Sequence, residues 1–481
     1  TVNYMSCIAS AFAILFMFWS LTYLIRKLLI NSKEVVSVAK EKAILASAFV
    51  GATAFTFTDS FWFNAVEAEV YAGAIFIMSL LFYLGLLWER DMHKARGNRW
   101  LILISFVVGL SFGIHFMGLL TIPAIGFLYY FKNYKTITPK NFIIANIVVV
   151  AVLMFIFKLL LPYTLTFFGH LEVFFVNSMG MPFNSGTIIA ALLVIGAFYY
   201  GITLSRKRNY PIFNTLLLCI LFIFVGFSSW MMLPIRANAG TTINENNPNN
   251  ARELLAYYNR EQYPETHLFY GPQFTSDYAG LDLDDPYKDD KKKYEKDEKL
   301  GKYVVVNQWE NTGQNLDDRQ KTFLPRMWSP ENNINYLAYT GPLPFTIKPE
   351  HINNRDLQAA VTQFREDLAQ GKVGLEGYNK FMKQFGQEYL NVEPPSFGDN
   401  MSFMFNYQFG YMYWRYFAWN FIGRQNDIQG TGDDFDGNWI SGIDFIDSMF
   451  LGSQDNLPTD ALKNKARNNY YFLPFLLGLI G

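Results

Sequence analysis

Two cysteines in 481 residues leave no room for a disulfide framework or a cysteine-based metal site. Cys7 and Cys219 both lie in apolar runs and read as core residues. Charge is scarce too: 17% of residues are Asp, Glu, Lys or Arg, against about 25% in average globular chains. The formal net charge of −1 gives no electrostatic case for nucleic acid. There is no Walker loop, no dinucleotide glycine fingerprint and no zinc-ligand spacing, so nucleotide hydrolysis is not indicated. No internal repeat or low-complexity tract stands out. What is abundant is apolar: 51% of residues are hydrophobic and 18% aromatic. The mean hydropathy of +0.09 is nevertheless low for a pure bundle of membrane spans. The average therefore hides two compositions, one apolar and one polar.

The apolar half comes first. Eight stretches are long enough, or nearly so, to span a bilayer: 5–25, 43–57, 68–88, 100–112, 117–131, 142–161, 187–204 and 212–233. The fourth and fifth are short, and 113–115 must be a tight turn between them. The intervening loops alternate. One set is basic, with Lys27, Lys40, Arg90, Lys94, Arg99, Lys132 and Arg206 among its cations. The other set, 58–67, 113–116 and 162–186, holds no Lys or Arg. Positive loops stay in the cytoplasm, so the second set is expected outside. Thr1 then lies outside as well, and an earlier span is expected before it. The run 471–481 is too short to cross, and both ends read as truncated. The expected organisation is a transmembrane domain over 1–233, a soluble extracytoplasmic domain over 234–470, and the start of a further span over 471–481. Within the soluble part, 282–302 reads as a solvated, mobile charged insertion. Residues 354–385 show helical apolar spacing with a break at Gly371 and Gly374. The aromatic stretch 397–428 should pack on the membrane domain or lie at the interface.

Candidate chemistry concentrates at the outward loops. The first, TDSFWFNAVEAEVY over 58–71, sets Asp59, Glu67 and Glu69 near the membrane surface with no cation beside them. Carboxylates at such a depth are expensive and default to functional hypotheses. A helix starting at Glu67 would put Glu67 and Tyr71 on one face, with Glu69 elsewhere. Helix-start acidity favoured by the macrodipole explains Asp59 and one glutamate, but not the pair. His115 sits at the next outward turn, where it either caps a helix or donates to a phosphate at headgroup level. Lys158 either snorkels to the interface or binds a lipid phosphate. Arg236 follows the last full span at once, against the positive-inside trend, and an anionic lipid group would explain it. Asn244 and Glu245 belong to an Asn-rich tract that serves equally as turns or as amide readers of sugar hydroxyls. Trp414, Arg415, Arg424 and Asp427 sit among aromatics that could stack on sugars or on an acceptor peptide. An interfacial helix with snorkelling arginines accounts for them equally well.

Five segments carry a family resemblance: 58–71 (TDSFWFNAVEAEVY), 109–122 (GLSFGIHFMGLLTI), 234–250 (PIRANAGTTINENNPNN), 323–329 (FLPRMWS) and 411–430 (YMYWRYFAWNFIGRQNDIQG). The chain resembles the glycosyltransferase-C (GT-C) superfamily. More specifically, it is similar to a bacterial family of membrane proteins related to the animal non-classical transmembrane protein O-mannosyltransferases. The resemblance implies an α-helical polytopic membrane protein with a GT-C-like bundle and a mixed, largely helical extracytoplasmic domain. It implies a location in the bacterial inner membrane with the large domain on the periplasmic side. It also implies a reaction: a polyprenyl-phosphate sugar, mannose or a related hexose, donates to a Ser or Thr hydroxyl of an exported protein. Glu67, Glu69 and Asp59 then map to the catalytic region. His115, Arg236, Lys158, Asn244 and Glu245 map to the lipid phosphate and sugar. The family's first outward loop, with its acidic base, is expected to precede Thr1. The acidic cluster permits a divalent cation without requiring one. Two other classes stay open. A transporter or flippase for a lipid-linked substrate would be expected to show repeat symmetry and broken helices. A structural component of an envelope export assembly would dock partners through its soluble part.

Overall fold

The computed structural model describes residues 2–30, 35–263, 267–282, 284–454 and 457–480. The chain forms two compact units: Thr1–Pro264 with Glu295–Val304, and Glu265–Tyr294 with Val305–Gly481.

The first unit is helical. Its elements are α1 (Val2–Leu29), α2 (Val38–Thr56), α3 (Asp59–Val66), α4 (Val70–Asp91), α5 (Arg99–Ser111), α6 (Thr121–Asn133), α7 (Pro139–Met154), α8 (Leu161–Val173), α9 (Ser185–Lys207), α10 (Pro211–Phe227), α11 (Met232–Asn238) and α12 (Ala251–Asn259). Local chemistry sets several starts. Ser37 caps α2 by accepting from the Lys40 N–H. Thr138 and Asn141 form a reciprocal capping box on α7, with Pro139 at its first position. The chain is a multi-pass α-helical membrane protein. All eight apolar stretches fall on helices, but among the described residues five helices are long and apolar enough to cross alone, or six if the bent pair Val38–Thr56 and Ser60–Val66 counts as one.

Two expected loops are largely helical. The 58–67 segment forms α3, which starts right after Thr58. The 162–186 segment continues the preceding helix, through π-helical turns at Phe155–Leu160 and Phe174–Ser178. The resulting run, Pro139–Ser178, has 40 residues. At 1.5 Å per residue it is about 60 Å long, against a hydrocarbon core of about 30 Å, so much of it lies beyond the lipid. The 113–115 turn is tight as expected, with the Ile114 and His115 N–H groups both donating to the Ser111 carbonyl.

Hydrocarbon is as apolar as leucine, so close backbone approach rather than burial holds such helices together. The crossing of α5 and α10 illustrates it. A Cβ on Gly109 would strike the carbonyl oxygen of Ile223, and one on Gly226 would strike that of Phe106. Cys7 is exposed rather than buried, because its face of α1 points outward; its thiol donates to the Ala65 carbonyl at 3.1 Å. Cys219 is half-buried.

The first unit extends past the expected boundary at 233. Its α11 and α12 belong to it because Tyr258 is buried and donates to the Phe157 carbonyl at 2.7 Å. The segment 295–304 joins it too. The charged tract that reads as an unstructured insertion carries strands β2 and β3 and leads into β4. The strands among the described residues are β1 (Tyr270–Pro272), β2 (Tyr287–Lys288), β3 (Tyr294–Asp297), β4 (Lys302–Val305), β5 (Gly313–Gln314), β6 (Lys321–Phe323), β7 (Phe345–Ile347), β8 (Leu390–Val392), β9 (Gly423–Arg424) and β10 (Asn468–Asn469). They pair only in twos, β3 with β4 among them. Tyr303 on β4 is the reason that hairpin is ordered. Its backbone exchanges two hydrogen bonds with the Asn177 side chain, at 2.8 and 2.9 Å.

The second unit holds α13 (Ser276–Ala279), α14 (Asn333–Thr340), α15 (Arg355–Ala369), α16 (Leu375–Tyr389), α17 (Phe397–Phe403), α18 (Arg415–Phe421), α19 (Asp444–Leu451), α20 (Thr459–Leu462) and α21 (Leu473–Ile480). A π-helical stretch, Met404–Trp414, joins α17 to α18. The expected break at 371–374 separates α15 from α16, and Gly371 takes the positive φ of +69° that ends α15. The core centres on Phe274, Tyr278, Tyr378, Met382 and Leu390, all fully buried. Each such side chain contributes about 1.5–3 kcal/mol relative to exposure. The buried phenols are satisfied: Tyr278 donates to Asn379 and Tyr378 to the Leu343 carbonyl. Burial pushes both phenols well above the usual range.

Candidate functional site

The two sets of loops gather at opposite ends of the helices of the first unit. At one end the basic segments meet. Lys27 from α1 and Lys132 from α6 both reach Oε1 of Glu89, at 3.1 and 3.0 Å, and the Tyr23 hydroxyl donates to Oε2 at 2.8 Å. Two residues on, Asp91 accepts from Arg90, Lys94 and the Trp100 indole at 2.8–3.0 Å. Both carboxylates are buried, at 3% and 6% exposure, and both are fully compensated.

At the other end lie the loops that hold no Lys or Arg, together with segments that carry Lys158, Arg236 and Arg252. Asn3 donates to the Val66 carbonyl at 2.8 Å, tying the start of α1 to the end of α3. The Trp230 indole donates to the Phe112 carbonyl at 2.6 Å, tying the end of α10 to the end of α5. The Tyr71 ring lies 5.8 Å from the His115 ring. Phe116 packs against Phe157 at 5.3 Å, and both rings contact Tyr258. Desolvation pushes the Tyr258 phenol well up, so it stays neutral. These contacts line up the start of α4, the 113–116 turn, the π-helical turn bearing Lys158, and α12.

Glu67 and Glu69 sit at this end. The expected helix from Glu67 does not form. Glu67 follows α3 in extended conformation, Glu69 is the residue before α4, and the helix begins at Val70. The pairing of Glu67 with Tyr71 on one helical face is therefore absent. The carboxylates crowd a kinked strand-like break of three residues. Glu69 is exposed and caps no N–H, Glu67 is half-buried, and neither has a hydrogen bond or ion pair among the described residues. Asp59 opens α3; its side chain lies outside the described residues.

His115 has a defined tautomer. Its Nδ1 accepts from the Met117 N–H at 3.1 Å, which leaves Nε2 to carry the proton. The ring thus caps the 3₁₀ turn Phe116–Leu120 and still offers one donor. Lys158 is exposed over the Phe157 ring at 5.2 Å and pairs with no carboxylate among the described residues. Arg236 is exposed on α11 and likewise pairs with none. Asn244 takes the turn role: its amide donates to Asn247 at 2.8 Å and to the Ala237 carbonyl. Glu245 is exposed beside it.

The remaining four candidates belong to the second unit. Arg415 donates to the carbonyls of Tyr411 and Gly437 and lies over the Tyr411 ring. The Arg424 guanidinium lies 4.2 Å above Trp419. Trp414 is 57% exposed, and Asp427 is exposed. Among the described residues, no three His, Cys, Asp or Glu side chains gather to hold a metal ion.

Residues 1–138 match the family described as the N-terminal domain of the protein O-mannosyl-transferase TMEM260. This part of the chain is related to the non-classical protein O-mannosyltransferases. The match covers α1 to α6, and so includes both Glu67 and Glu69 and the His115 turn. Residues 264–405 match a second family, described only as being of unknown function. No curated protein and no solved structure matches the chain.

One buried acid had no signal in the sequence. Glu172 accepts from the N–H groups of Asn184 and Thr187 at 2.6 and 2.8 Å, from the Thr187 hydroxyl, and from the Tyr303 hydroxyl at 3.2 Å. It starts α9 and holds the β3–β4 hairpin at once. Burial and the neighbouring carboxylate push the Tyr303 phenol well up. The partner at 303 is 131 residues away, which no spacing rule reaches.

Proposed function

We propose that the chain is a membrane glycosyltransferase that moves a hexose, mannose or a close relative, from a polyprenyl phosphate to Ser or Thr of exported proteins. The carrying observation is the O-mannosyltransferase-related domain, which holds two carboxylates without an ion pair among the described residues and a His115 ring whose Nε2 is left free by the Nδ1 contact to the Met117 N–H. The end with the Lys- and Arg-free loops faces the periplasm and the basic end the cytoplasm of a bacterial inner membrane, by the positive-inside rule.

Glu67 and Glu69 serve the acceptor side. A carboxylate takes the proton of the acceptor hydroxyl as its oxygen attacks the anomeric carbon. The bond from that carbon to the phosphate oxygen breaks, and its electron pair leaves with the lipid phosphate. His115 Nε2–H, Lys158 and Arg236 serve the departing phosphate as donors and counter-charge. Single displacement inverts the anomeric centre.

Mass spectrometry of exported proteins tests this reading. Deletion of the gene is expected to remove hexose from Ser and Thr of envelope proteins, and the wild-type gene to restore it. An unchanged glycan profile in the deletion strain removes the proposal.

A further inference from the structure

The second unit reads from sequence as a soluble domain, yet one of its faces is too apolar for water. Over residues 404–421 the one charged side chain is Arg415. Phe409, Tyr413, Trp414 and Phe421 on this stretch are 44–57% exposed. Helix α21 packs on it through Phe475, whose ring lies 6.1 Å from Phe417. That helix, Leu-Pro-Phe-Leu-Leu-Gly-Leu-Ile, has no polar side chain, and Leu477 and Ile480 are 59% and 83% exposed. Between α18 and α21 runs a groove of about 260 Å³, lined by Trp414, Phe417, Trp439 and Phe475 among others.

We infer that this face seats the second unit in the bilayer interface, with hydrocarbon and headgroups as its partner. Three observations choose lipid. A helix apolar on every side is stable only in a core or in hydrocarbon, and α21 has one flank packed and the rest bare. The mixture of Trp, Tyr and Phe without carboxylates is that of an interfacial belt. The one cation is turned away: Arg415 spends its donors on the carbonyls of Tyr411 and Gly437. A lipid surface is also always at hand, because the same chain carries at least five helices able to cross a membrane. The groove is of a size for a segment of acyl chain rather than for a folded partner. The inference does not depend on the proposed reaction.

Site-directed fluorescence on the full chain in phosphatidylcholine vesicles tests it. With Cys7 and Cys219 replaced, an environment-sensitive probe is placed by Tyr413→Cys, by Leu477→Cys, or by the exposed control Glu366→Cys on α15. Nitroxide-labelled lipid is expected to lower emission at 413 and 477 about twofold or more, while aqueous iodide barely touches them. The control is expected to respond in the opposite way. Iodide quenching at 413 and 477 equal to that at 366 overturns the inference, because the face is then in water. Shielding of both positions from both quenchers overturns it too, because protein then covers the face.

Discussion

A single helix shows the contrast between the two ends of the membrane unit. Helix α4 follows directly on Glu69 and finishes with Glu89 and Asp91. The two acids at its end are buried, and five cations crowd round them: Lys27 and Lys132 about Glu89, and Arg90, Lys94 and Arg99 about Asp91. The acids at its start, Glu67 and Glu69, have no partner among the described residues. Carboxylates of one chemistry thus do two jobs. Where cations converge, the acid is structural and its loss unbalances a buried cluster. Where the acid forms no ion pair among the described residues, it is available to meet a substrate, and its loss is expected to leave the fold intact.

The sharpest way to break this contrast is to exchange the effects. Glu67→Gln with Glu69→Gln is expected to lower sugar transfer about 10²–10⁴-fold, the range for a lost acid–base group, with thermal unfolding unmoved. Next in size, Glu89→Ala is expected to destabilise the protein by about 2–4 kcal/mol, since two ammonium groups lose their shared oxygen, read as a lower midpoint of thermal unfolding in detergent. A Glu89 variant as stable as wild type would erase the distinction between the ends.

A smaller effect sharpens the account of the hairpin. Glu172→Ala leaves the N–H groups of Asn184 and Thr187 and the Tyr303 hydroxyl without their acceptor, at a cost of about 1–3 kcal/mol. Hydrogen exchange is expected to speed up over 295–304 and at the start of α9, and to stay unchanged over α15 and α16.

The smallest effect lies in the second unit. Burial alone would raise the Asp317 carboxyl, but the Arg319 guanidinium and backbone N–H, at 2.6–3.1 Å, outweigh it and hold the carboxyl below its ordinary value. A depressed acid stabilises the fold above its unfolded value of about 3.9 and loses that contribution as pH falls through the folded value. Asp317→Asn is therefore expected to lower the second unit's stability at neutral pH and to flatten the acid limb of its pH–stability curve below about pH 4, where wild type loses the same contribution. The exposed guanidinium keeps the change modest.

The parts of this structure that the sequence made legible are those that follow from local rules. Hydrophobic runs located the five long apolar helices found among the described residues, and the alternation of basic loops with loops lacking Lys and Arg fits the two ends at which Lys27 meets Lys132 and Tyr71 meets His115. The break at Gly371 was equally local. What escaped depends on distance. Nothing near Tyr258 tells of Phe157, 101 residues earlier, and so the first unit runs on past 233. Nothing near Glu172 tells of Tyr303, and so the charged tract looked shapeless. The start of α4 failed for a local reason: Asp59 and Glu67 both looked like helix openings, and the chain uses the stretch from Glu67 to Glu69 as a break between helices. That break turns the two glutamates out of any helical face and leaves them without an ion pair or hydrogen bond among the described residues.

The most direct test is a transfer assay with purified full-length protein in nanodiscs, supplied with a polyprenyl-phosphate hexose and a Ser/Thr peptide. Wild type and Glu89→Gln, scaled to folded protein, are expected to transfer the sugar, while Glu67→Gln with Glu69→Gln is expected to stay folded and transfer none. Full transfer by the double variant at 67 and 69 would contradict the assignment of the end bearing Glu67 and Glu69 as the reacting end.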